Sequence, residues 1–194
     1  MPFNKDYYVR STISNYEDYR KKKFSGLADD LYPYLAHRQV LDYGCATGGL
    51  IHELYLRDVS CKGTDISLWA IDFGKGRYSL PKETLFHDAF WLLQEDFNVI
   101  LFLDVLEHIP DDKLSTILEM VKAPQLIVRI PVSKIEGEDF VLDVSKNDKT
   151  HIQIHSKRYW LDKFEDVGYD IFIPLNEENI YDSEGVLAGI LKRI

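Results

Sequence analysis

Val40-Leu41-Asp42-Tyr43-Gly44-Cys45-Ala46-Thr47-Gly48-Gly49 runs from an apolar strand into a glycine-containing loop and on into a helical stretch. Gly44 and Gly48 let the backbone turn sharply and approach a ligand with no Cβ in the way. Asp42 stands at the carboxyl end of the strand, the edge at which open α/β sheets bind ligands. Working outward, the same edge collects further acids. Cys61–Asp65 reads as a second strand whose last residue lies about 20 residues on, where a carboxylate can accept both hydroxyls of a ribose. Thr84–His87 reads as a third strand, followed by Asp88 and Ala89. Val99–Leu103 (VILFL) is a fourth, uniformly apolar as a strand buried on both faces must be, and Asp104 follows it. Four strands that each present an acid at one edge outline a ligand-binding rim.

Helical stretches alternate with these strands: Leu50–Arg57, Ser67–Tyr78, and Asp112–Val121 with Asp111 or Asp112 as its cap. Gln125–Ile130 reads as a fifth strand stopped by Pro131. The alternation predicts parallel strands joined by right-handed helical crossovers. Upstream, Tyr19, Phe24, Leu27, Leu31 and Leu35 recur at helical spacing within Tyr16–Leu35, an amphipathic helix that Pro33 should kink or end. The basic run Arg20-Lys21-Lys22-Lys23 reads as its solvated face. Downstream, residues 133–149 are irregular and charged. Ser156–Val167 reads as an amphipathic helix closed by Gly168, and Asp170–Pro174 and Gly185–Arg193 as two last strands, antiparallel to each other. The expected organisation is one domain over 1–194, with a helical cap (1–38), a core (39–132) and a segment on the substrate side carrying the last strands (133–194).

The composition agrees with that scheme. A chain of 194 residues, 45% hydrophobic and 28% charged, suits one soluble α/β domain and can bury a core without disulfides or metals. With 23 basic against 32 acidic residues the formal net charge is −9, which counts against sequence-independent nucleic-acid binding and points to small-molecule or protein substrates. The two cysteines, Cys45 and Cys61, form neither a metal-ligand spacing nor a disulfide framework. No apolar run reaches the length of a membrane span, and the polar start lacks a signal-peptide core. The expected setting is cytoplasmic, with no membrane or nucleic-acid partner.

The loop also narrows the ligand. Dinucleotide-binding loops run G-x-G-x-x-G because a pyrophosphate sits against the helix N-terminus. Here the order is D-x-G-x-x-x-G with acids beside it, which favours a ligand carrying ribose, adenine and an ammonium group without pyrophosphate. S-adenosylmethionine has those features. VLDYGCATGG resembles the first motif of class I S-adenosylmethionine-dependent methyltransferases, V-L-D-x-G-C-G-T-G, with Ala46 replacing a glycine. GTDIS resembles their second motif, HDAF the adenine-contacting segment and VILFLDVLEHIPD the fourth motif. THIQIHSKRYWLDKFEDVGY is similar to a stretch of the small-molecule members, the ubiquinone-pathway superfamily. The resemblance covers roughly residues 16–194 in the expected order.

What the resemblance implies is a Rossmann-like seven-stranded, mostly parallel sheet of order 3-2-1-4-5-7-6, with the last strand antiparallel, helices on both faces and N-terminal cap helices. Asp42, Gly44, Cys45, Ala46 and Gly48 would form the floor under the methionine moiety of the cofactor. Asp65 would hold the ribose, with Ile66 against the adenine. Asp88 would accept from the adenine amino group, and Ala89 and Phe90 would line its pocket. Leu103 and Asp104 would close the site beside the sulfonium. S-adenosylhomocysteine would be the product.

Asp104-Val105-Leu106-Glu107-His108, with His151 and His155 downstream, resembles the E-x-x-E-H metal site of ubiquinone-pathway and small-RNA ribose methyltransferases. A divalent ion there could lower the pKa of a substrate hydroxyl. The reading adopted is metal-free, with Glu107 and His108 shaping the floor and His108 and His151 as candidate general bases, since histidine titrates near neutral pH. The tyrosines at both ends (Tyr7, Tyr8, Tyr16, Tyr19, Tyr32, Tyr34 and Tyr159), with Trp160, are candidates to line an acceptor pocket. The expected chemistry is direct in-line displacement onto the oxygen or nitrogen of a small-molecule acceptor, with no covalent enzyme nucleophile. The rivals are a non-catalytic scaffold of the same fold and a nicotinamide oxidoreductase.

Overall fold

The computed structural model describes residues 3–9 and 21–193, with no side-chain detail for Lys21 and Lys22. Its elements, in chain order, are α1 (Lys5–Val9), α2 (Lys21–Leu35), β1 (Gln39–Tyr43), α3 (Gly49–Tyr55), β2 (Ser60–Asp65), α4 (Leu68–Arg77), β3 (Leu85–His87), β4 (Val99–Leu103), α5 (Asp111–Met120), β5 (Gln125–Pro131), α6 (Asp143–Asn147), α7 (Lys157–Glu165), β6 (Ile171–Pro174) and β7 (Val186–Lys192). Short 3₁₀ segments at Phe90–Gln94 and Leu106–His108 flank β4. The strands form one sheet in the order β3-β2-β1-β4-β5-β7-β6. The first five are parallel neighbours, and β7 runs antiparallel to both β5 and β6.

Side chains alternate across a strand, so the central strands feed two core layers. Ile100 and Phe102 of β4 and Leu126, Val128 and Ile130 of β5 pack with Leu92, Leu114, Leu118, Trp160 and Phe164 on one face. Val99 and Leu101 of β4 and Ile127 of β5 pack on the other face with Leu27, Leu31 and Leu35 of α2 and Leu50 and Leu54 of α3. With both faces covered, every parallel connection brings the chain back to the same carboxyl edge, where the loops after β1, β2, β3 and β4 converge.

Local details depart from the sequence reading. The cap of α5 is Pro110, and Asp111 and Asp112 occupy its first turn, where their charge complements the helix dipole without a side-chain cap bond. Pro33 lies inside α2 but only two residues from its end, so the lost N–H costs one bond of the last turn and the helix continues to Leu35. Pro131 is included in β5, paired with Val186 at the end of the ladder. The irregular stretch 133–149 contains α6, a single short helix that turns out to matter for the site. Gly168 follows α7 at φ 87 as a left-handed terminator, and Ser156 caps its start by accepting from Tyr159 N. Tyr16 to Arg20, the start of the expected amphipathic helix, lies outside the described residues. No helix among the described residues is long and apolar enough to cross a membrane.

Candidate active site

A cavity of about 500 Å³ opens over the carboxyl ends of β1, β2 and β4. Asp65, at the end of β2, stands in its wall and is well connected: Oδ1 accepts from Ser67 N at 2.8 Å and from Tyr8 Oη at 3.3 Å, and Oδ2 accepts from Ala46 N at 2.8 Å. Burial raises its pKa, and the backbone donors from Ser67 and Ala46 pull the other way. Ile66 and Phe90, 46% and 53% exposed, are large apolar side chains in the same wall as Asp88, Ala89 and Val105. Thr64 Oγ1 accepts from Ala89 N at 3.0 Å, and Asp88 N donates to Asp65 O at 2.9 Å, so the loop after β3 is clipped to the end of β2.

The glycine loop forms the floor. Gly44 has φ 86, and a Cβ there would sit 2.5 Å from Val105 Cγ2, so both the turn and the approach of the next loop require glycine. Ala46, the departure from the usual motif, adopts φ 50, a left-handed conformation that costs an alanine about 1 kcal/mol. Burial raises the Cys45 thiol well above its ordinary pKa, which disfavours the thiolate a nucleophile would need. Asp42 lies beneath the loop, buried, and its pKa is pushed up to about 7, first by burial and then by Asp65, with Arg129 opposing. Gly48 borders neither cavity described here; it is the cap of α3 at φ 74, so its part is to turn the chain.

A second cavity, of about 370 Å³, lies beside the first. Tyr7, Gly44, Ala46, Asp104 and His108 border both, which marks the passage between them. The second cavity is lined by apolar side chains (Phe24, Leu27, Leu142, Val144, Val186) and by Glu107, His108, Asp148 and His151. Glu107 is fully buried, yet neither carboxylate oxygen has a hydrogen-bond partner. Burial and the neighbouring Asp104 raise its pKa well above the usual range. His108 Nε2 and His151 Nε2 lie 4.0 and 3.8 Å from Glu107 Oε1, and His151 Nε2 lies 3.7 Å from Asp148 Oδ2. Burial lowers the pKa of both histidines. Ligand atoms of Glu107, His108 and His151 all lie within 4.8 Å of one another, a set that could hold a metal ion.

Asp104 and Leu103 were expected to close the site. Leu103 borders the second cavity, and Asp104 borders both. The Asp104 carboxylate is held by Arg129 Nε at 2.9 and 3.0 Å, on the adjacent strand. His155 lies apart from both cavities, bonded to Glu136 at 2.6 Å and to Gln153 at 3.0 Å. Of the tyrosines considered, Tyr7 and Tyr8 reach the site; Tyr34 bonds Glu177, Tyr159 stacks on His155 and Trp160 is core. Tyr16 and Tyr19 lie outside the described residues. The sequence reading missed Arg129, Asp148 and Thr150. A lone arginine inside the apolar run QLIVRI, next to the ligand edge, was the available signal for the first.

Comparison with known proteins bears on the fold and the family. The model of the family described as "Methyltransferase domain" matches residues 16–172. No curated protein matches the chain. Among solved structures, a SAM-dependent methyltransferase from Archaeoglobus fulgidus superposes with TM-score 0.68 at 15% identity, covering 90% of this chain and 95% of that one. The methyltransferase domain of bacterial CtHen1 gives 0.61 at 17% identity, covering 89% and 97%. Magnesium protoporphyrin IX methyltransferase from Synechocystis PCC 6803, with bound SAM, gives 0.59 at 16% identity, covering 89% and 81%. The shared fold and the family match lead to one assignment: the chain belongs to the methyltransferase-domain family.

Proposed function

We propose that the protein transfers the methyl group of S-adenosylmethionine to an oxygen or nitrogen of a small-molecule acceptor. The observation that carries this reading is the pair of adjoining cavities, one with the fittings for a nucleoside and the other lined by apolar side chains together with buried acids and histidines. Asp65 offers a carboxylate to ribose hydroxyls, Ile66 and Phe90 offer apolar surface to adenine, and Asp88 offers an acceptor for its amino group. Asp42 and the backbone of Gly44 to Ala46 lie where a methionine moiety would rest. The cofactor supplies a methyl group made electrophilic by its sulfonium. The protein aligns the acceptor at the passage bordered by Tyr7, Gly44 and His108 and keeps water out, so positioning is its main contribution. His108 and His151 stand within the acceptor cavity as the groups available to take a proton from the attacking atom.

The test is release of S-adenosylhomocysteine from methyl-labelled cofactor in the presence of pooled hydroxylated and amine-bearing small molecules. Label transferred to a pool component in step with S-adenosylhomocysteine supports the reading. Protein that binds the cofactor tightly but transfers label to no pool points to the scaffold alternative.

Asp42 adds a pH dependence. With a pKa near 7 in the free protein, it must give up a proton to hold the ammonium group of the cofactor. Affinity should therefore be full above neutral pH and fall below it, about tenfold between pH 8 and pH 6 for one linked proton. Dissociation constants for S-adenosylhomocysteine at the two pH values check this, and Asp42→Asn should bind weakly at both, with the slope gone.

A second reading concerns a divalent cation, favoured by one observation: the buried Glu107 carboxylate lacks any hydrogen-bond partner. Glu107, His108 and His151 would hold the ion, which would polarise an acceptor oxygen.

A further inference from the structure

We infer that Asp148, and not Asp104, completes the donor set of a divalent-cation seat with Glu107, His108 and His151. The inference rests on the second reading above and departs from the order of residues in the sequence, where Asp104 leads the D-x-x-E-H run.

The fold engages the Asp104 carboxylate elsewhere. Its backbone is left-handed at φ 55, its N–H donates to Arg129 O at 2.8 Å, and its two carboxylate oxygens receive Arg129 Nε. A carboxylate forked onto a guanidinium has both its charge and its oxygens engaged.

The fold brings Asp148 in. It follows α6 in the loop after β5 and is 5% exposed. Oδ1 is saturated by Thr150, accepting from the backbone N at 2.9 Å and from Oγ1 at 2.6 Å. That leaves Oδ2, with a single long hydrogen bond from Tyr7 Oη at 3.2 Å, facing His151 Nε2 at 3.7 Å.

Thr150 also sets the histidine. Its hydroxyl proton is committed to Asp148, so toward His108 Nδ1, 2.9 Å away, the hydroxyl can only accept. The Thr150 carbonyl accepts from the same Nδ1 at 3.1 Å. Nδ1 therefore carries the proton, and Nε2 presents its lone pair on the side of Glu107, the tautomer a metal-binding histidine needs. One threonine thus orients a carboxylate and an imidazole of the same set. Glu107, fully buried and without a partner, supplies the unmet demand for positive charge. Two carboxylates and two imidazoles suit manganese, cobalt or zinc ions better than calcium, which takes oxygen ligands.

The test is calorimetric titration of chelator-stripped protein with manganese(II) chloride, with thermal melting to confirm folding. The expected result is one ion per chain, weakened roughly 10- to 100-fold by Asp148→Asn and changed less than about threefold by Asp104→Asn. An Asp148→Cys variant titrated with cadmium should develop a thiolate-to-cadmium absorption band, a gain of signal that does not depend on how Asp148→Asn folds. If Asp104→Asn weakens binding and Asp148→Asn does not, or the cadmium band is missing, the cation reading stands and the assignment to Asp148 falls. If folded wild-type protein takes up no manganese, both fall.

Discussion

Asp65→Asn is expected to weaken S-adenosylhomocysteine binding by roughly 100- to 1,000-fold while leaving the protein folded. Two charge-assisted hydrogen bonds to a ribose, each contributing about 1.5–3 kcal/mol, make a loss of that size reasonable. The asparagine is isosteric but has one acceptor oxygen in place of two. In the free protein those oxygens already organise the site, because Oδ2 fixes Ala46 N and Oδ1 fixes Ser67 N and Tyr8 Oη. The substitution therefore removes the ribose acceptor and loosens the loop under the methionine moiety together. Calorimetry measures the loss, and a melting curve shows whether the fold is retained. Unchanged affinity in a folded variant would reduce Asp65 to a loop clip.

Glu107→Gln should make the protein more stable and remove its transfer activity. A buried carboxylate with no partner costs the folded state whether it keeps its charge or takes up a proton. At neutral pH the second route limits the cost to about 3–4 kcal/mol, the work of protonating an ordinary glutamate. Glutamine keeps the shape and avoids that cost, so a gain of about 1–3 kcal/mol is expected. For a chain of this length that corresponds to a rise in melting temperature of about 3–10 °C, read in the presence of a chelator. A group that destabilises its own fold yet sits in a cavity wall is what a stability–activity trade-off produces. A glutamine variant that melts lower, or one that retains full activity, would show that Glu107 is structural.

Much of this architecture was legible in the sequence because its signals are local. Short strands ending in or just before an acid at Asp42, Asp65 and Asp104, with helical periods between, need only residues close in the chain and returned the parallel strands, while the sheet order came from the resemblance to class I methyltransferases. Ile66, Asp88, Ala89 and Phe90, which the resemblance pointed to, directly follow strand ends, and all four line the larger cavity. The second cavity was less legible. Tyr7 meets Asp148 across 141 residues, and His108 meets Thr150 across 42, and no local period encodes such contacts. Asp104 shows the converse. The pattern marked it as a site acid, yet Arg129 on the neighbouring strand decides what its carboxylate does. Pro110 in place of an aspartate at the start of α5 is a smaller case: the cap there depends on the path of the preceding turn and not on side-chain type.

The most direct check of the central claim is calorimetric titration of the folded protein with S-adenosylmethionine, S-adenosylhomocysteine and NADH. Micromolar binding of both sulfur ligands at one site per chain, with no heat from NADH, is the predicted result. Binding of NADH without either sulfur ligand, or no binding of the sulfur ligands at all, would contradict the cofactor assignment on which the proposed chemistry depends.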